Sequence, residues 1–156
     1  MDLLETFQQL ESSGLGLYVR ESVWLFPAIE AVHLLGLSLL GGAVLLVDLR
    51  LLNAGLTGTS AAVLARAARP WLTAAIVLMV ATGVPLFLSE AVKCYYNTSF
   101  WVKILTFPVA IVFTYAVRQR VAEADSTSRA VAALTGTASI ALWFVVAAAG
   151  RWIGFS

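Results

Sequence analysis

His33 is the only histidine in this 156-residue chain. It stands in the stretch AIEAVHLLGLSLLGGAVLLVDLR, residues 28–50, one helical turn after Glu30. An i,i+3 spacing puts carboxylate and imidazole on one face of a helix, in a run that is otherwise almost wholly apolar. Ionisable groups are expensive in such a run, and by default they mark a cofactor, a proton path or a buried pair. A third ionisable residue, Lys103 in SFWVKILTF, enters another apolar run. Its flexible stem lets the ammonium reach Glu30 or a buried anion, or turn back to the interface.

The donor set narrows the metal chemistry. One imidazole, one acid and no paired thiolate fall short of the four nitrogen or sulfur ligands of structural zinc. A single ExxH motif is too few for a di-metal carboxylate bundle. Haem b needs only one axial imidazole, because the macrocycle supplies the other ligands and presents a mostly apolar surface. On that reading His33 is the metal ligand, and Gly36, one turn further on, leaves room for a flat ring. Met79 lies at a similar depth and is the candidate sixth ligand, although a methionine in such a helix is more often core filling. Lys103 and Arg151 are placed to neutralise the propionates, and Glu30 and Lys103 are the groups available for proton transfer.

These residues need a scaffold in lipid. The chain is 60% hydrophobic and 12% charged, with a formal net charge of +1, against about a quarter charged in soluble domains. It reads as an all-α integral membrane protein forming one domain over residues 1–156. Crossing the hydrocarbon takes about 20 apolar residues, and four segments qualify, at about 22–52, 70–92, 99–117 and 129–152. Residues 3–15 have the apolar spacing of a short amphipathic helix lying in the interface. Small residues, including Gly36, Gly41, Gly42, Ala75, Gly83, Gly136 and Gly150, let four helices approach closely in lipid, so a four-helix bundle is expected. Counted inward from Ser22, His33 lies about 16 Å deep, near the middle of a hydrocarbon layer about 30 Å thick.

Arg50, Arg66, Arg69, Arg118, Arg120 and Arg129 gather at one end of the spans, against Arg20, Lys93, Lys103 and Arg151 at the other. The positive-inside rule then puts both termini on the periplasmic side of a bacterial inner membrane. Trp24, Trp101, Trp152, Tyr95 and Tyr96 gather at the outer ends as an aromatic belt. Asp48 reads as an interface anchor beside Arg50. Cys94, the lone cysteine, excludes an intrachain disulfide, and no CxxC pair is present. The N-terminus lacks a basic region followed by an apolar core, so no cleavable signal peptide is expected. No basic run points to nucleic acid.

The string AVHLLGLSLLGGAVLLVDLRLL resembles the first-helix signature of HemJ-type protoporphyrinogen oxidases, and more loosely that of CopD-type membrane domains. SFWVKILTF resembles the helix of the HemJ type that carries an essential lysine. The resemblance covers about a third of the chain, in the first and third spans. It implies a haem ligand at His33 and a lysine partner at Lys103. It departs from the family in the missing further histidines and in Val47-Asp48-Leu49-Arg50, where a proline is usual. Haem binding survives the comparison better than a named reaction.

Three functions are therefore expected in order. The first is a b-type haem membrane protein for electron transfer or membrane redox chemistry, a component of a membrane oxidoreductase with a quinone or periplasmic redox partner. The second is a proton- or ion-conducting protein or small transporter with a Glu30–His33–Lys103 relay. The third is an accessory or assembly subunit. A homo-oligomer in the bilayer fits each of them.

Overall fold

Ser60, Asn97 and Ser128 each stand directly before a long apolar helix and satisfy its first turn. Ser60 Oγ accepts from Val63 N at 3.3 Å, Asn97 Oδ1 from Ser99 N at 2.9 Å, and Ser128 Oγ from Val131 N at 3.3 Å. Such caps fix where a helix can begin, because its first N–H groups have no partner within the helix. In the computed structural model, which describes residues 2–124 and 126–155, four helices are long and apolar enough to span a membrane. Among the described residues there is no strand. The chain is an all-helical, multi-pass membrane protein.

Two short helices, α1 (Leu3–Glu11) and α2 (Gly14–Glu21), precede the first span, α3 (Leu25–Leu51). The second span is α4 (Ala61–Ser89), followed by the short α5 (Ala91–Tyr96). The third runs as α6 (Thr98–Phe113), a π turn over Thr114–Arg118, and α7 (Gln119–Glu123); the fourth is α8 (Arg129–Ile153). Helix α3 packs along both α4 and α8, and α6 packs along α8. Helix α6 makes no extensive contact with α3 or α4, and α4 meets the third span chiefly at α7.

Two boundaries differ from the sequence expectation. The second span starts at Ala61, so Pro70 lies inside the helix. Arg66 and Arg69 lower the hydropathy of those first turns without interrupting the helix. The third span continues past Val117 to Glu123, because the charged RQRVAE segment keeps helical geometry. The amphipathic N-terminal stretch is two helices rather than one, since Ser13 caps a second start by accepting from Gly16 N at 3.3 Å.

Those two helices cover one pole of the bundle. Phe7 of α1 is buried against Phe87, Tyr95, Phe100 and Trp101, with ring centroids 5.3–6.4 Å apart. Glu11 accepts from Val92 N at 2.6 Å and from Arg20 at 2.5 Å. Gly16 passes so close to α4 that an added Cβ would stand 2.6 Å from the Leu88 carbonyl oxygen. The core runs the length of α3 on one stripe, Gly36, Leu40, Val44, Val47 and Leu51, at the spacing of three and four that a core-facing helix requires.

Candidate functional site

His33 continues that stripe one turn above Gly36, so the core face of α3 points the imidazole into the bundle. It meets α4 there. Nδ1 of His33 lies 2.7 Å from Thr82 Oγ1, and the same hydroxyl donates to the Leu78 carbonyl at 2.6 Å. A threonine hydroxyl has one hydrogen. With that hydrogen on Leu78, the imidazole donates from Nδ1 and Thr82 accepts. The opposite nitrogen, Nε2, is then the basic one, and it has no partner among the described residues.

The residue of α4 next to Thr82 is a glycine that faces the ring. A Cβ at Gly83 would meet only His33 Cε1, at 3.5 Å. Across the bundle, Lys103 of α6 lies over Gly150 of α8, where an added Cβ would stand 3.3 Å from Nζ. Lys103 makes no ion pair or hydrogen bond among the described residues. His33 is only half-buried on a stripe whose lower members are fully buried. That difference accords with the sparse contact of α6 with α3 and α4.

The other residues singled out in the sequence fall elsewhere. The notch at Gly36 is filled rather than open: Leu78 Cδ2 and Met79 Sδ lie 3.2 Å and 3.4 Å from where its Cβ would be. Met79 is accordingly core packing, 4% exposed, one turn below Thr82. The missing side chain at Gly36 serves the close approach of α3 and α4. Glu30 is exposed and makes no ion pair or hydrogen bond with His33 or Lys103. Pro27, Ala28, Ala31 and Val32 around it are exposed as well, so this end of α3 has little cover from its neighbours. Arg151 is exposed, its guanidinium 4.3 Å above the Phe155 ring.

A second polar group, deeper towards the opposite pole, was not legible as a site. Asp48 and Arg118 form an ion pair with side chains 0% and 1% exposed. Arg118 Nε donates to Asp48 Oδ1, and its Nη2 donates to the Val44 carbonyl at 2.9 Å. Asp48 is therefore not the interface anchor its position beside Arg50 indicated. Leu49, Leu51 and Leu52 continue the apolar run beyond it, which is the signal that it lies inside the span. The π turn supplies the partner. In that wider turn both Arg118 and Gln119 fall on the inner face and are buried. Thr114, at its start, gives its hydroxyl hydrogen to the Ala110 carbonyl at 2.7 Å and accepts from Trp143 Nε1 at 3.0 Å. Ser139 Oγ and Asp48 Oδ2 are buried there, neither in a close hydrogen bond among the described residues.

Among the described residues no three His, Cys, Asp or Glu side chains gather as a metal cage.

Residues 7–156 match the family described as "Family of unknown function (DUF6644)". The chain belongs to that family. No curated protein and no solved structure matches it.

Proposed function

We propose that this member of the DUF6644 family is a membrane-embedded b-type haem protein, with His33 as the axial ligand, serving electron transfer in a bacterial inner membrane. The observation that carries the reading is the hydrogen bond from His33 Nδ1 to Thr82. Ligating histidines typically donate their other ring nitrogen to a fixed acceptor, which sets the tautomer and ring orientation and raises the basicity of the ligating nitrogen. Here that acceptor is tied in turn to the α4 backbone, which leaves the lone pair on Nε2.

The residues present fit the group. One imidazole supplies the one ligand needed, Gly83 adds no side chain of its own beside the ring, and the ammonium of Lys103, packed on Gly150 and without an ion pair or hydrogen bond among the described residues, is matched to a carboxylate. Bound haem would supply a one-electron couple in a medium where few amino-acid side chains can. The chain's own part is to orient the ligand through Thr82, to balance carboxylate charge through Lys103, and to exclude water by the aromatic cap around Phe7. A quinol or a periplasmic protein is the fitting electron donor, since one haem in one half of the bilayer does not span it.

The test is the visible spectrum of protein purified from haem-replete cells. A Soret band that is present in the wild type and lost in His33→Ala supports the assignment. A colourless wild type removes it and leaves the relay and assembly readings, of which the relay lacks a bonded Glu30.

A further inference from the structure

The arginine-bearing pole contains a recess that the haem reading does not use. It has a volume of about 360 Å³ and opens between the α3–α4 turn and the α7–α8 turn. Arg50, Asn53, Thr127 and Arg129 stand around it, and Leu51 and Val121 are among its apolar lining. No carboxylate lines it among the described residues. Arg50 is fixed in place: Nε donates to the Thr59 carbonyl at 2.6 Å and Nη1 to Asn53 Oδ1 at 3.4 Å. Its Nη2 has no hydrogen-bond partner among the described residues. Arg129 is exposed and has no hydrogen bond or ion pair among the described residues. Two arginines lining one recess can recognise a phosphate, Arg129 with its guanidinium fork and Arg50 through Nη2.

Depth identifies the source of that phosphate. Arg50 is in the last turn of the first span and Arg129 opens the last span, so both stand where helices leave the hydrocarbon. Basic recesses between spans at this level suit anionic headgroups, and the apolar lining suits the glycerol and upper acyl carbons of a lipid. We infer that this recess binds the phosphodiester of an anionic phospholipid, with Arg50 and Arg129 as its two cationic contacts. Arg66, at the same pole but outside the recess, has no part in it.

The experiment is native mass spectrometry of the full chain released from nanodiscs of phosphatidylcholine with a minority of phosphatidylglycerol, together with melting temperatures in the two lipid mixtures. The wild type retains a phosphatidylglycerol adduct and melts higher when that lipid is present. Arg129→Gln, an exposed change, retains about tenfold less adduct, as befits loss of charge-assisted bonds, and loses the increment in Tm. Arg66→Gln keeps both. Arg129→Lys, which keeps the charge and loses the fork, falls between them and serves if the glutamine variant does not fold. Equal retention in wild type and both Arg129 variants overturns the site. If inorganic phosphate stabilises the detergent-solubilised protein as well as the lipid does and displaces the adduct, the recess takes a free anion and the lipid assignment is overturned.

Discussion

The imidazole of His33 and the hydroxyl of Thr82 meet at 2.7 Å between the first and second spans, and the hydroxyl passes its own hydrogen to the Leu78 carbonyl at 2.6 Å. This two-step tether is what turns a lone histidine into an oriented base. It predicts that Thr82→Val, nearly the same shape without the acceptor, leaves the Nδ1–H unpaired at a cost of about 1–3 kcal/mol. Thr82→Ser keeps the bond and most of the stability. Thermal unfolding in detergent measures the difference. If haem is bound, the valine variant also shifts the midpoint potential while the serine variant does not.

The pair of Asp48 and Arg118 is buried between the first and third spans. Removing one member strands the other charge. Arg118→Met and Asp48→Leu are each expected to destabilise by about 3–5 kcal/mol, whereas the double variant regains most of the loss. A double-mutant cycle on melting temperature reads the coupling directly. Two single losses that simply add in the double variant would mean the two residues act independently.

Glycines sort by what a Cβ would strike. At Gly16 it would lie 2.6 Å from the Leu88 carbonyl oxygen and at Gly136 3.1 Å from that of Asp48, whereas at Gly41 and Gly42 nothing lies within 4 Å. Gly16→Ala forces backbone apart and should loosen α2 from α4; Gly136→Ala does the same to α3 and α8, at about 1–3 kcal/mol. Gly42→Ala relieves the helix of a flexible residue and stabilises by up to about 1 kcal/mol. Ranking the melting temperatures of the three variants checks the packing of the bundle.

Cys94 lies in α5, outside the spans, and is buried. Burial, with the Glu90 carboxylate adding to it, pushes its thiol up to about 11. At pH 8 the folded protein therefore holds the neutral thiol, and alkylation by iodoacetamide is expected to be slow until the protein unfolds. Because the folded state binds this proton more tightly than the unfolded one, the contribution is full below the unfolded value of 9.0 and is lost as pH rises towards 11. Rapid labelling of the folded protein at pH 8 would contradict the burial.

The four spans were legible because hydropathy over a helical length is a property of the local chain. Their ends were less so. Arg66 and Arg69 look like loop charges, but Ser60 starts the helix before them, and a helix can extend beyond the bilayer. The inward face of α3 was not legible from the sequence, where every side of that span is apolar; the structure sets it, with His33 in line with Leu40 and Val47. Glu30 was assigned to the same site by its i,i+3 spacing, yet it lies on an exposed part of α3, and the glycines differ in what faces them: Gly83 meets the His33 ring, Gly150 is covered by Lys103, and Gly36 closes on Leu78 and Met79. Which small residues face a neighbour and which face a gap depends on helix rotation and crossing, and no single segment encodes those. Arg118 needed the π turn to reach Asp48, a widening that the apolar pattern of the third span does not announce.

Haem-replete membranes expressing His33→Gly, purified with and without added imidazole, test the ligand most directly. The Soret band of the wild type should vanish in the variant and return when imidazole occupies the vacated position. A variant that keeps the wild-type spectrum without imidazole, or a wild type that carries no haem, would contradict His33 as the axial base.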